Sequence, residues 1–155
     1  MAKVDFHSQV GDKFTYTCRL IRKIFSLASE LEPLKKVVIV GARQDLDRLD
    51  QLLWSFSAED FLPHVFIDDE TAPFAPIVLA EHFVESHFEN LPHQDVFIHL
   101  GREFLADIEH ITSRFERVIE LVSTEELDVL AGRERYKRYR SMGIELVNYD
   151  QKGMK

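Results

Sequence analysis

Eight consecutive residues, Arg133-Glu134-Arg135-Tyr136-Lys137-Arg138-Tyr139-Arg140, hold five basic side chains, one acidic side chain and two tyrosines. The segment carries +4, whereas the 14 basic and 26 acidic residues elsewhere leave the rest of the chain at −12. Positive potential is therefore focused on one short stretch of an acidic body. At a 3.6-residue period Arg133, Tyr136, Lys137 and Arg140 share one helix face. Guanidinium forks suit carboxylates, and a tyrosine beside them walls a slot for an apolar group. Cations also complement the carboxyl end of a helix dipole, which accounts for one or two of the five but not for their density.

Trp54 is the second notable residue. The apolar positions Leu46, Leu49, Leu53 and Phe56 form a helical stripe, and at about 100° per residue Trp54 projects about 140° from the direction of Leu49. A tryptophan opposite a core stripe is either covered by another segment or offered to a partner. Phe61-Leu62-Pro63 follows in a turn region and extends the same patch.

Other chemistries are weakly served. The turn Gly41-Ala42-Arg43-Gln44-Asp45 has one glycine where the dinucleotide fingerprint needs three, and no Gly-Lys-Ser/Thr pair to cradle phosphate. Asp45 and Asp47 suit the helix dipole there but repel an anion. His82, His87 and His93 have no metal-ligand spacing, His99 reads as a core-edge histidine, and Asp68-Asp69-Glu70 reads as a solvated loop tip. Cys18 lies on an apolar helical stripe and reads as a small buried hydrophobe. The expectation is no metal, no cofactor and no catalytic constellation.

These residues must be positioned by a scaffold, and its elements alternate. Val4–Phe6 is a brief strand closed by the polar stretch 7–11. A helix is expected over 13–30, from Phe14, Cys18, Ile21, Phe25 and Ala28. The unbroken run 36–40 is a strand buried on both faces, as in a parallel sheet. Further strands are expected at 64–67, 77–80, 95–100, 117–122 and 144–147, with helices at 44–56 and 104–115 and a loop over 81–93. Ser123-x-x-Glu126 matches a capping box opening a helix that runs to about Arg140, with Gly143 ending it. The pattern predicts one α/β domain over residues 1–150, three-layered and Rossmann-like, its largely parallel sheet flanked by helices, with no nucleotide-binding loop and a polar tail at 151–155. At 155 residues the chain buries enough surface to fold without staples, and its single cysteine fits a reducing compartment. With no signal-peptide pattern and no apolar run long enough to span a bilayer, the expected location is the cytoplasm.

Leu49-Asp50-x-x-Leu53-Trp54, then Glu59-x-Phe61-Leu62-Pro63-His64, then Arg133-Glu134-Arg135-Tyr136-Lys137-x-Tyr139-Arg140 resembles, in order and spacing, the chi subunit of bacterial DNA polymerase III. The resemblance spans most of the chain, with one departure from the family's pattern: Gly132 looks like an insertion that shifts the helical register upstream of Arg133. It implies a non-catalytic clamp-loader accessory on a nucleotide-binding-like fold without a nucleotide. It also implies two partners: the psi subunit, at positions matching Trp54 and Phe61, and the acidic C-terminal tail of single-stranded DNA-binding protein, whose last residue is a Phe carrying the terminal carboxylate, at Arg133, Tyr136, Lys137 and Arg140. Two other functions remain on the residues alone. One is a nucleotide-dependent enzyme on the same scaffold; the other is a direct single-stranded DNA binder stacking bases on Tyr136 and Tyr139.

Overall fold

The computed structural model describes residues 2–28, 33–55, 62–83, 86–87, 91 and 94–152. Seven strands form one sheet: β1 (Val4–Val10), β2 (Val37–Val40), β3 (His64–Phe66), β4 (Ile77–Ala80), β5 (Val96–His99), β6 (Arg117–Ser123) and β7 (Leu146–Asp150). Their order is β3-β4-β2-β5-β6-β1-β7, and every pairing is parallel. Four α-helices are present among the described residues: α1 (Lys13–Ser26), α2 (Arg43–Ser55), α3 (Ile108–Arg114) and α4 (Glu126–Ser141). The expected three-layer α/β architecture is what forms.

The unbroken apolar runs become the middle of the sheet because only there are both faces covered. β2, β4 and β5 are buried at every position. Cys18, Ile21 and Ile24 of α1 and Leu46, Leu49 and Leu53 of α2 pack on one face with Ile39, Leu79 and Ile98. On the other face Ile108 and Ile111 of α3 and Tyr139 of α4 meet Phe6, Val38, Phe97 and Val118. From β1 the chain crosses to β2, runs out to β3, and returns through β4, β5 and β6 to fill the gap it left. The carboxyl ends of β1, β2, β5 and β6 consequently open onto one crevice.

Two expectations need correction. β1 runs to Val10 rather than ending at Phe6. It lies between β6 and β7, so its polar residues are paired on both sides, His7 with Leu121 and Tyr149. Gln9 takes a left-handed conformation (φ 59°), and this irregularity lets Val10 rejoin the ladder opposite Ser123. Second, Ser123 and Glu126 do not form a capping box. Glu125 occupies the N-cap without a side-chain bond, and Asp128 instead accepts a hydrogen bond from the Ser123 amide at 2.6 Å. α4 is continuous through Gly132. A Cβ there would stand 2.7 Å from Val122 Cγ2, so glycine is what lets α4 approach β6.

Smaller differences lie at element ends. α3 is shorter than the expected 104–115, and β7 begins two residues later than expected and runs to Asp150. Gly143 ends α4 with φ +81° as anticipated. The expected helix ends at Glu30 and Phe56, Phe61, much of the loop 81–93 and the last three tail residues lie outside the described residues. Among the described residues no helix is long and apolar enough to cross a membrane.

Candidate functional site

α4 divides the basic cluster between two faces. Arg133, Lys137 and Arg140 are exposed, and Tyr136 is half-buried beside them, its ring edge-on to Phe6 at 5.1 Å. These four are the residues that the period placed together. Leu130, 51% exposed and about 60° around the helix from Arg133, adds an apolar group to this outer strip. Its signal in the sequence was weak, because a helix leucine ordinarily faces the core. Arg138 is exposed too but folds over the Phe104 ring, its guanidinium carbon 3.6 Å from the centroid.

The inner face carries a charge network that sequence reasoning missed. Arg135 and Tyr139 are 1% and 0% exposed. Arg135 Nε lies 3.3 Å from Glu120 Oε1, and Nη1 donates to the Arg102 carbonyl at 2.8 Å. Among the described residues Arg135 Nε and Nη2 have no aligned hydrogen-bond partner, so the ion pair with Glu120 is chiefly coulombic. The Tyr139 hydroxyl donates to Glu120 Oε2 at 2.6 Å. His99, fully buried rather than at a core edge, lies 2.6 Å from Glu120 through Nδ1 and 3.1 Å from Glu103 through Nε2. Burial opposes charge on both His99 and Glu120. Their mutual attraction and hydrogen bonds overcome it, raising the imidazole and lowering the carboxyl. The hydrogen bond from His99 holds Glu103 down at about 2. Burial, then Glu120, pushes the Tyr139 phenol up. Tyr139 is therefore not a stacking platform for a base.

The carboxyl-end crevice, where an α/β sheet of this kind ordinarily takes its ligand, is occupied by the protein's own side chains. Asp12 caps α1, accepting from the amides of Phe14 at 2.9 Å and Thr15 at 3.2 Å. Those are the donors a phosphate needs. Lys13 reaches the Leu100 carbonyl at 2.7 Å and Asp128 at 2.8 Å, and Arg102 bridges Asp128 and Glu125. A cavity of about 600 Å³ remains, bordered by Asp12, Asp45, Glu103 and Glu125 as well as by these cations. Among the described residues no His/Cys/Asp/Glu cluster has the form of a metal site. Cys18 is buried, and burial pushes its thiol up to about 12, which matches a core role rather than a nucleophile.

Trp54 is 53% exposed, and its ring lies 4.2 Å from that of His64. His64 is buried, with Nδ1 2.7 Å from the Leu62 carbonyl and Nε2 2.7 Å from Asp50 Oδ1. These contacts tie the start of β3 to α2 and prop the indole outward. The spacing argument for Trp54 thus matches its position, while Phe61 lies outside the described residues.

A model of the DNA polymerase III chi subunit family (HolC) matches residues 1–147. The chain belongs to that family. It is 26% identical over 155 residues to the DNA polymerase III subunit chi of Pseudomonas aeruginosa, covering 96% of each chain. To the same subunit of Escherichia coli K12 it is 33% identical over 99 residues, which are 64% of this chain and 62% of that one. The solved C-terminal domain of the DEAD-box protein Dbp5 shares the fold with a TM-score of 0.61 at 12% identity, covering 97% of this chain and 91% of that one. Membership in the chi family makes this protein a replication accessory subunit, a component of the polymerase III holoenzyme.

Proposed function

We propose that this chi-family chain is an adaptor rather than an enzyme. It holds the acidic C-terminal tail of single-stranded DNA-binding protein on the outer face of α4 and the psi subunit of DNA polymerase III on the surface around Trp54 and Phe61. The observation that carries the first half is the strip of exposed Arg133, Lys137 and Arg140 alongside half-buried Tyr136. Converging cations capture a terminal carboxylate, and an aromatic wall takes the apolar side chain that bears it. What supports the second half is the exposed indole of Trp54, because aromatic anchors dominate interface energies. Trp54 and the α4 strip lie on different helices, so both partners can be held together and weak contacts add in residence time.

The test is calorimetry with a tail peptide in free-acid, amidated and Phe-less forms at two salt concentrations. Arg133→Ala should remove a charge-assisted contact of about 1.5–3 kcal/mol. Amidation should cost a similar amount, and deleting the terminal Phe should abolish binding. Trp54→Ala should weaken psi by about 2 kcal/mol and leave the tail within about twofold. A Phe-less peptide that binds as well as the full tail would reduce the α4 site to a diffuse basic patch.

A further inference from the structure

A basic groove lies on the face of the sheet opposite α4. Set between α1 and the sheet edge formed by β1 and β7, it has a volume of about 500 Å³. Leu20 and Ile24 form its floor and exposed Leu27 one rim, while Tyr16, His7 and Tyr149 form an aromatic wall. The charged side chains lining it are Arg19, Lys23 and Arg117, and no acidic residue lines it among the described residues. Asp5, buried in β1, pairs with Arg117 at 3.7 Å from beneath. In a chain of net charge −8, a cluster of cations around an apolar floor is complementary to an anionic, amphipathic ligand.

We propose that this groove binds a short acidic peptide segment through one apolar side chain. The reading is independent of the tail site on α4. Arg19 and Lys23 are four residues apart on one helix face, where like charges destabilise each other unless an anion lies between them. His7 records the converging field: burial first, then Arg117 and Lys23, lower its imidazole to about 4, so at neutral pH it is an uncharged part of the wall. An extended peptide also finds the outer edge of β7, which among the described residues pairs with β1 alone, so backbone groups are available at the rim for strand addition. A nucleic acid strand is the poorer fit, because three cations are a short track for a polyanion approaching an acidic protein.

The probe is the fluorescent synthetic peptide Asp-Glu-Asp-Glu-Leu-Phe. It is titrated into protein carrying Arg133→Ala, Lys137→Ala and Arg140→Ala, so that the α4 strip is silent, and its position is mapped by amide chemical shifts. Saturable binding is expected, with shifts confined to α1, β1, β7 and the start of β6 at Arg117. Arg19→Ala with Lys23→Ala, both exposed and outside the core, should weaken it about tenfold or more at unchanged melting temperature. Replacing Leu-Phe by Ala-Ala should weaken it comparably. Absence of saturation at about 1 mM, indifference to either change, or tighter binding of an oligothymidylate at the same residues would each overturn the proposal. Failure here leaves the response of wild-type protein to Arg133→Ala untouched, so the two readings fail separately.

Discussion

Arg133 and Arg135 stand two residues apart on α4, one exposed and the other 1% accessible. The outer strip holds cations in water, where each is hydrated and available. On the inner face Arg135, His99, Glu120 and Tyr139 are all at or below 1% exposure, and each polar group there depends on the others. The comparison shows that charge density in a sequence is not charge density on a surface. Of the five basic residues in the cluster, one neutralises a buried carboxylate, one lies over an aromatic ring, and three remain on the strip assigned to recognition.

The comparison breaks most readily at Arg135. Arg135→Ala leaves Glu120 buried beside one fewer cation, and breaking a buried pair costs about 3–5 kcal/mol. Arg133→Ala should change stability by no more than about 0.5 kcal/mol. Urea denaturation of the two variants separates the faces, and equal losses would dissolve the distinction. Gly132→Ala tests how the faces are set. Alanine gains about 1 kcal/mol of helix propensity over glycine. Its Cβ, however, would meet the stiff, branched Val122 side chain at 2.7 Å. The expected net effect is a loss of about 1–3 kcal/mol, recovered when Val122→Ala is added.

Acid titration sharpens the same contrast through two buried histidines. His99 sits in the inner network with its pKa raised above the ordinary 6.5. Its contribution is fully present below that value and is lost as pH rises through the raised one. His7, on the groove side, is depressed to about 4. Its neutral form contributes fully above 6.5, and that contribution is lost as pH falls from 6.5 through about 4, because the unfolded chain takes up the proton first. His7→Phe should therefore flatten the fall in denaturation midpoint over that acid window. His99→Gln should leave the acid slope in place and alter the behaviour above pH 6.5. An unchanged acid slope in His7→Phe would show that another group carries it.

Much of this organisation was legible in the sequence for particular physical reasons. The Val37–Val40 run reads as a central strand because both of its faces are covered. The outer strip of α4 reads from a 3.6-residue period, and Trp54 from its angle to Leu49. β1 was less legible because Asp5, His7, Ser8 and Gln9 interrupt any apolar pattern, and their pairing comes from two neighbouring strands distant in sequence. The inner network was illegible because His99, Glu120 and Arg135 lie up to 36 residues apart and none of them alone names its partners. Gly132 looked like a disturbance because the side chain it must avoid, Val122, belongs to the strand beneath.

Arg138 offers the finest test, since it belongs fully to neither face. At about 100° per residue it lies about 140° around the helix from Arg133, away from the strip, and its guanidinium covers Phe104. An exposed cation–π contact contributes about 0.5–1 kcal/mol, so Arg138→Ala should lower stability by that amount. If recognition depends on the directed strip, the same change should alter tail-peptide affinity by less than about twofold, because a screened charge outside the strip adds little. If recognition instead follows total charge, Arg138→Ala should weaken the peptide as much as Arg133→Ala does. Measuring both variants with the free-acid peptide at two salt concentrations distinguishes these cases. Equal losses that vanish together at high salt would return all the exposed cations of α4 to a single diffuse patch.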